Sequence, residues 1–162
     1  MAMTTALTLL YTTAVHDHLG LDLTPHRPDV LLLRTDHLTY YLNPHPTAPA
    51  LLDINTLIPL HNPYAHALND TPGALDQITQ HATRTHLAVK AYPVPDTDPM
   101  IHLTIETYLG PDHRMPTPGQ LADAIHRATA QIEHTWKDIR LDLDQLLLAH
   151  ATRTRTDDHN PD

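Results

Sequence analysis

A long amphipathic helix in the last third of the chain limits the folds that this sequence can form. From Thr117 onward, apolar residues recur every three or four positions, which is the repeat of a helix packed on a core. Thr117 and Gln120 form a capping box that predicts where the helix begins. We expect Trp136 to lie in the core, between this helix and a sheet. The apolar positions are Leu121, Ile125, Ala128, Ile132, Trp136, Ile139, Leu143 and Leu146.

The sheet is predicted from segments in which apolar and polar residues alternate. The clearest is 100–109, where Ile101, Leu103 and Ile105 alternate with polar residues. In the segment 87–94, Leu87 is expected inward together with Val89 and Ala91. The remaining strands are predicted at 29–34, 37–42 and 52–58, and two further helices at 3–18 and 71–85, the latter capped by Thr71.

The order of elements is therefore helix, three strands, helix, two strands, helix. This order indicates an α+β fold with a five-stranded antiparallel sheet and helices on one face. A chain of 162 residues has the length of one domain, which we assign to 1–150. The polar segment 151–162 lacks apolar periodicity and is predicted to be a disordered C-terminal tail.

Composition excludes several classes of function. The chain has no cysteine and no serine, so disulfides, thiolate metal sites and serine hydrolase triads are excluded. Its formal net charge is −9 with only ten scattered Lys and Arg residues, which argues against binding nucleic acid or an anionic membrane. No apolar run is long enough to span a membrane, and the first residues lack the pattern of a signal peptide, so a cytoplasmic protein is expected.

Fifteen histidines are an unusual number for a chain of this length. One interpretation is a histidine-based metal or pH sensor. The other interpretation is that a biased, C-rich coding strand produces the histidines without selection for their chemistry, because the enriched residue types share C-rich codons. No zinc-protease spacing is present, and His126 and His134 are expected on the outward face of the last helix. We therefore predict no metal site and no cofactor. With no glycine-rich phosphate loop and no desolvated acid, the chain is predicted not to be an enzyme.

The segment from Thr83 to Asp138 carries a family resemblance. Two strands, 87–94 and 101–108, lead through a proline-containing loop to the final helix with Trp136 near the end of its apolar stripe. In this pattern the chain resembles the YbjN-like family of small bacterial proteins, within the type III secretion chaperone-like superfamily. The resemblance extends over about residues 3–150. It implies a peptide- or protein-binding module, often dimeric, with a chaperone-like or regulatory role and no catalytic residues.

Two surfaces follow from the predicted faces. The polar face of the sheet is the expected partner-binding surface, because tyrosines give large contact areas at interfaces. Its residues are Tyr41, Lys90, Tyr92, His102, Glu106 and Tyr108. The end of the last helix is the expected homodimer interface, since about 33 residues span roughly 50 Å, more than the sheet covers. Its residues are Ile139, Leu143, Leu146 and Leu147.

Alternatives to both surfaces remain open at this stage. The polar sheet face is also compatible with an ordinary solvated surface. The last helix would need no second copy if it broke near Arg140 and folded back onto its own core. The leading function is a non-catalytic module that binds an unidentified polypeptide. The other hypotheses are the histidine-based sensor and a structural subunit of a larger assembly.

Overall fold

A computed structural model of the chain describes residues 5–45, 48, 50–94, 98–109 and 115–157. These residues form four helices and six strands. In chain order they are α1 (Thr5–Leu19), β1 (Leu23–Arg27), β2 (Val30–Arg34), β3 (Thr39–Pro44), β4 (Leu51–Pro59), α2 (Tyr64–Asn69), α3 (Ala74–Thr85), β5 (Lys90–Val94), β6 (Met100–Tyr108) and α4 (Pro118–Asp157). None of these helices combines the length and the apolar character that crossing a membrane requires.

The strands form one antiparallel sheet in the order β1-β2-β3-β4-β6-β5. The α+β class and the antiparallel sheet are therefore as predicted. The chain divides into two compact units, the first made of residues 1–57 and 103–133, the second of 58–102 and 134–162. β4, β6 and α4 each contribute residues to both units. The prediction of one domain over 1–150 stays a prediction.

In the first unit, α1 presents one apolar face to the core. Leu7, Tyr11, Ala14 and Val15 are buried, at the spacing of one face of a helix. The helix ends at Gly20, whose φ of 64° lies in the left-handed region that glycine adopts without steric cost. There the N–H of Gly20 donates to the carbonyl of His16 at 3.2 Å. After this helix end the chain continues into β1.

The strands of the first unit alternate between a buried inner face and an outer face. Along β3, Tyr40 and Leu42 are buried, and along β4 Leu52, Ile54 and Thr56 are buried. Thr56 is tolerated there because its hydroxyl donates to the carbonyl of Thr39 at 2.7 Å. The inner face therefore forms the core, and the outer face carries the residues in between.

In the second unit, α3 packs against β5. Ala74, Ile78, Thr79 and Ala82 form the buried face of α3. The position before this helix is Gly73 with a φ of 81°, so Gly73 and not the predicted Thr71 occupies the N-cap position. The hydroxyl of Thr83 both accepts from the N–H of Ala91 at 2.9 Å and donates to its carbonyl at 3.2 Å. One side chain thus satisfies the outward-facing backbone groups of one residue of β5.

The last helix is continuous from Pro118 to Asp157, without a break near Arg140. Its buried face includes Ile132, Thr135, Ile139 and Leu143, each at 0% exposure. Trp136 is only partly buried, which corrects the prediction that it lies in the core. The reason is rotational: Thr135 continues the buried stripe, and the next residue lies about 100° around the helix.

The described part of the predicted C-terminal tail differs from the expectation. Residues 151–157 continue α4. Within this stretch the hydroxyls of Thr152 and Thr154 donate to the carbonyls of Leu148 and His150, four residues earlier. A helix already formed adds one backbone hydrogen bond for each residue it gains, so apolar periodicity is not needed for extension. Residues 158–162 lie outside the described residues.

Two local predictions require correction. The sheet has a sixth strand, β1, because Pro25 and Pro28 indicated only an extended link. Pro25 is compatible with β1 because this strand lies at the edge of the sheet. Leu87 is 91% exposed and precedes β5, which begins at Lys90, so it is not a core residue. A loop or short irregular helix was predicted at 61–70, and the structure has the short helix α2 there.

Candidate functional site

The outer face of the first unit carries a mixed apolar and polar surface. Tyr41 lies opposite Asn55, and Asn43 lies opposite Asp53, in the antiparallel register of β3 and β4. Leu32 of β2 lies opposite Tyr41, so it shares this face, and it is only 8% exposed. Because residues directly opposite each other contact across a sheet, these side chains form a continuous surface.

A cleft opens on this surface beside the edge of the sheet. Its volume is about 240 Å³. Three lining residues come from β1 and β2 and four from the outer faces of β3 and β4. The lining residues are His26, Arg27, Val30, Tyr41, Asn43, Asn55 and Leu57. We call it the outer-face cleft.

A carboxylate fixes the polar wall of the outer-face cleft. Asp53 accepts from Nδ2 of Asn43 at 3.4 Å and from Nδ2 of Asn55 at 3.5 Å through one oxygen. Its other oxygen accepts from the hydroxyl of Thr104 at 2.7 Å. These bonds hold both amide nitrogens toward Asp53. Each Asn side chain is therefore oriented with its oxygen, an acceptor, directed away from that carboxylate.

Several polar groups of the cleft have no protein partner among the described residues. They are the Tyr41 hydroxyl, the two Asn carboxamide oxygens and the Arg27 guanidinium. His26 packs edge-on against Tyr41 with a ring-centroid separation of 5.6 Å. The cleft thus offers an aromatic and aliphatic floor, hydrogen-bond donors and acceptors, and one permanent positive charge.

Both edges of the sheet are poor templates for an added strand. At the β5 edge, Thr83 already occupies the backbone groups of Ala91, and the next residue facing that edge is Pro93, which has no N–H. At the other edge, β1 contains Pro25, and its register with β2 shifts between Pro25 and Arg27. Recognition through backbone pairing is therefore disfavoured at both edges.

The predicted partner-binding residues fall into two groups. Tyr41 lines the outer-face cleft of the first unit. Glu106 and Tyr108 are exposed in the same unit, on the face of β6 that carries Thr104, because side chains alternate along a strand. The structure brings these residues onto the surface that contains Asp53.

The remaining members of the predicted set lie in the second unit. The rings of Tyr92 and His102 are 6.2 Å apart at an interplanar angle of 37°. Tyr92 is 46% exposed, and Lys90 is exposed nearby on β5. His26 and Arg27 were not predicted from the sequence, because β1 was not recognised as a strand. Asn55 could have been found, because it alternates with the buried Ile54 and Thr56 along β4.

The predicted dimer residues differ in exposure. Ile139 and Leu143 are at 0% exposure within the chain itself, so they are not available to a second copy in this conformation. Leu146 and Leu147 are partly buried. Leu141 and Leu148 lie seven residues apart on α4 and are 60% and 70% exposed. The apolar surface of this helix that remains open is therefore shifted relative to the predicted one.

Two buried tyrosines have perturbed pKa values but lie outside the cleft. Burial raises the pKa of Tyr11 and of Tyr40 well above the usual tyrosine range, and for Tyr40 the nearby carboxylate of Glu133 adds to the effect. In the second unit, a hydrogen bond to Asp144 raises the pKa of Tyr64, with burial contributing less. All three phenols therefore lose their protons only at a higher pH than an ordinary tyrosine does.

The architecture defines a YbjN-like fold. The crystal structure of YbjN from E. coli, described as a proposed transcription regulator, is similar with a TM-score of 0.56 and 14% identity, over 90% of this chain and 97% of that one. An uncharacterised protein from Methanothermobacter thermautotrophicus is similar with a TM-score of 0.61 and 8% identity, over 86% of this chain and 97% of that one. At such identities the likeness concerns the fold alone. No family model and no curated protein matches the sequence.

Proposed function

We propose that this protein is a non-catalytic polypeptide-binding module with a chaperone-like or regulatory role, and that the outer-face cleft holds part of its partner. The observation that carries the proposal is the pairing of an apolar floor with unpaired hydrogen-bonding groups in one cleft. The description of YbjN as a proposed regulator is consistent with the regulatory role. The resemblance of the sequence to the YbjN-like family, within the type III secretion chaperone-like superfamily, supports the chaperone-like role.

The partner that fits the cleft is an extended peptide with an apolar side chain next to an acidic one. The apolar side chain would contact Tyr41, Val30 and Leu57, and the acidic one would pair with Arg27. Peptide N–H groups would donate to the carboxamide oxygens of the Asn residues. The cleft of about 240 Å³ is smaller than the roughly 300–1,000 Å³ usual for small-molecule pockets, which favours a side chain over a cofactor.

Anisotropy of fluorescein-labelled 12-residue peptides tests this function. Peptides that bind on an array with systematically varied apolar and acidic positions are titrated with the protein. Tyr41→Ala is expected to weaken binding at least tenfold, as loss of a central aromatic does at many interfaces. Arg27→Gln is expected to weaken binding and to reduce its dependence on salt.

Leu9→Ala is the matched control, because Leu9 is 65% exposed on α1 of the same unit and does not line the cleft. Its affinity for the peptides should equal that of the unchanged protein. If no peptide on the array binds, the proposed function is wrong. If Tyr41→Ala and Leu9→Ala bind equally well, the peptides bind at another surface.

The regulatory role is proposed to act through protein contacts and not through nucleic acid. The net charge of −9 disfavours a polyanion, and the cleft presents a single arginine. A gel-shift assay with mixed genomic fragments should therefore show no complex at physiological salt.

The proposal also includes a cytoplasmic location in a bacterial cell.

A homodimer is proposed as the working form of the protein. The exposed Leu141 and Leu148 provide the open apolar surface on α4, with the partly buried Leu147 beside them and Leu146 farther around the helix. Closed twofold dimers are the commonest oligomers, which favours a second copy as the partner of this surface. Light scattering should give a dimer mass at micromolar concentration and a monomer mass for Leu148→Glu. A monomer mass for the unchanged protein at high concentration would remove the dimer from the proposal.

A further inference from the structure

We propose that His86, His134 and Asp138 form a binding site for a divalent transition-metal ion such as Zn²⁺. One potential ligand atom of each residue lies within 4.8 Å of the other two. Nε2 of His86 is 2.8 Å from Oδ2 of Asp138. The rings of His86 and His134 lie 5.3 Å apart at an interplanar angle of 83°. We call these three residues the α3–α4 cluster.

The backbone positions all three side chains firmly. His134 and Asp138 are four residues apart on α4 and so lie on the same face of the helix. His86 follows the last residue of α3, where its N–H donates to the carbonyl of Ala82 at 2.8 Å and its carbonyl accepts from Val89 at 3.0 Å. Two of the ligands therefore lie on α4, and the third is held at the end of α3 by backbone hydrogen bonds on both its N–H and its carbonyl.

The side chains combine partial burial with access from solvent. The side chain of His86 is 14% exposed and that of Asp138 is 44% exposed, while His134 is exposed. The burial of His86 limits the access of water to one side of the cluster, and the exposed His134 leaves a path for an ion to enter. A hydrogen bond between His86 and Asp138 requires only those two side chains. It does not explain why the imidazole of His134 lies beside them.

The donor set matches known metal chemistry. Two imidazoles and one carboxylate are the protein ligands of many zinc sites that keep a fourth position open, and of non-haem iron sites. With bonds of about 2.0–2.2 Å, tetrahedral ligand atoms lie about 3.3–3.6 Å apart. The 2.8 Å contact would open by about half an ångström, and separations of up to 4.8 Å would close by up to about 1.5 Å, which side-chain rotations provide.

A cavity beside the cluster supplies room for the fourth ligand. It has a volume of about 200 Å³ and is lined by His86 and Asp138 together with His81, Asp142 and Gln145. Asp142 lies one helical turn after Asp138 on α4. A water molecule or one of these polar side chains would complete the coordination of the ion. A bound ion would then tie the end of α3 to α4.

A second group of the same composition, His66, Asp70 and His150, provides an internal comparison. Nε2 of His150 is 2.8 Å from Oδ2 of Asp70, and Nε2 of His66 is 3.6 Å from the same oxygen. The side chains of His66 and Asp70 are 72% and 52% exposed, and both lie on or next to the short helix α2. The more buried histidine is similar in the two groups, at 19% exposure for His150 and 14% for His86, so the shorter supporting helix α2 is what makes this the weaker of the two groups.

Isothermal titration of the untagged full-length protein with ZnCl₂ at neutral pH tests the proposal. We expect one ion per chain at the tighter step, together with a rise in the melting temperature. His134→Gln and His86→Gln should each weaken that step at least about 100-fold, since loss of an outer-sphere partner alone costs 10–100-fold. His126→Gln is the matched control, because His126 is exposed on the same helix outside the cluster.

Bound Co²⁺ adds a readout that a structural role would not change. Its visible absorption should show nitrogen and oxygen ligands in low coordination, and the spectrum should disappear in His134→Gln. Because His134 is exposed, that variant should keep the circular dichroism of the unchanged protein.

Three outcomes would overturn the proposal. The first is no Zn²⁺ binding up to millimolar concentration, and the second is a tight step that His134→Gln and His86→Gln both leave unchanged. The third is a tight step removed only by Asp70→Asn, which would assign the ion to the other group. Because the α3–α4 cluster is separate from the outer-face cleft, none of these results bears on peptide binding.

Discussion

Tyr11 and Tyr40 are both at 0% exposure in the first unit, but only Tyr40 has a hydrogen-bond partner for its hydroxyl. The Tyr40 hydroxyl donates to Oε1 of Glu133 at 3.0 Å. The Tyr11 hydroxyl is buried without a partner among the described residues. Replacing each tyrosine by phenylalanine removes one oxygen in both cases, so the pair separates hydrogen bonding from packing.

The two substitutions are expected to change stability in opposite directions. A hydrogen bond to a charged group contributes about 1.5–3 kcal/mol, so Tyr40→Phe should lower the free energy of unfolding by about that amount. A buried polar group without a partner costs about 1–3 kcal/mol, and removing it relieves this cost. The small void left by one oxygen offsets part of the gain, so Tyr11→Phe should stabilise the protein by about 1 kcal/mol.

Urea unfolding followed by circular dichroism at pH 7 measures both changes. The slope with urea should be the same for both variants and the unchanged protein, so that midpoints are compared directly. A loss of more than about 1 kcal/mol in Tyr11→Phe would show that its hydroxyl is hydrogen-bonded in solution. A neutral result for Tyr40→Phe would show that Glu133 is not its acceptor.

Three further expectations concern the buried tyrosines of the first unit, and the edge strand and last helix in the second unit. The pKa of Tyr11 and Tyr40 is raised in the folded state, so the stability they contribute is fully present below about pH 10. Above that pH the free energy of unfolding should fall by up to about 1.4 kcal/mol per pH unit for each tyrosine. Urea titrations from pH 8 to 11 should show a shallower fall in Tyr11→Phe. Thr83→Val leaves two backbone groups at the edge of β5 without partners, so unfolding should become easier by about 1–3 kcal/mol and light scattering on heating should rise; an unchanged melt would show that water replaces the hydroxyl. Leu143→Ala should cost about 2–5 kcal/mol in urea, whereas Leu148→Ala should cost less than about 0.5 kcal/mol, and similar costs would contradict the burial of Leu143.

Elements with a strong repeat could be predicted from the sequence. The alternation of Ile101, Leu103 and Ile105 located β6, and these residues are buried as expected. The stripe of α4 located its core face correctly at Ile132 and Ile139. In both cases the spacing of apolar residues in the sequence equals the spacing of buried positions in the element, so the sequence pattern predicts the buried face directly.

Other features depended on contacts that no local pattern records. Thr135 is buried, whereas the larger Trp136 is only partly buried. The elements that pack on α4 determine which of its residues are buried, and residue size alone does not predict this. β1 forms because β2 offers it an edge, although Pro25 alone argues against a strand. Tertiary pairing overrode propensity at these positions.

The residues of the candidate sites also divide into those that a local pattern predicts and those that contacts between distant elements bring together. Tyr41 was selected for its residue type on an alternating strand, and it does line the outer-face cleft. His134 was expected to be simply solvated, yet the fold brings His86 beside it from a position 48 residues earlier. A helix pattern identifies the neighbour four residues away, Asp138, but not a side chain supplied by another element.

The order of strands has a consequence for how the chain folds during synthesis. β1 to β4 form an uninterrupted meander that can pair as it leaves the ribosome, whereas the other neighbour of β4 is β6. About 40 residues separate the end of β4 at Pro59 from the start of β6 at Met100. At roughly 5–20 residues per second, one edge of β4 stays unpaired for about 2–8 s of translation. During that interval the nascent chain presents an open strand edge, which is a template for pairing with another chain until β6 is made.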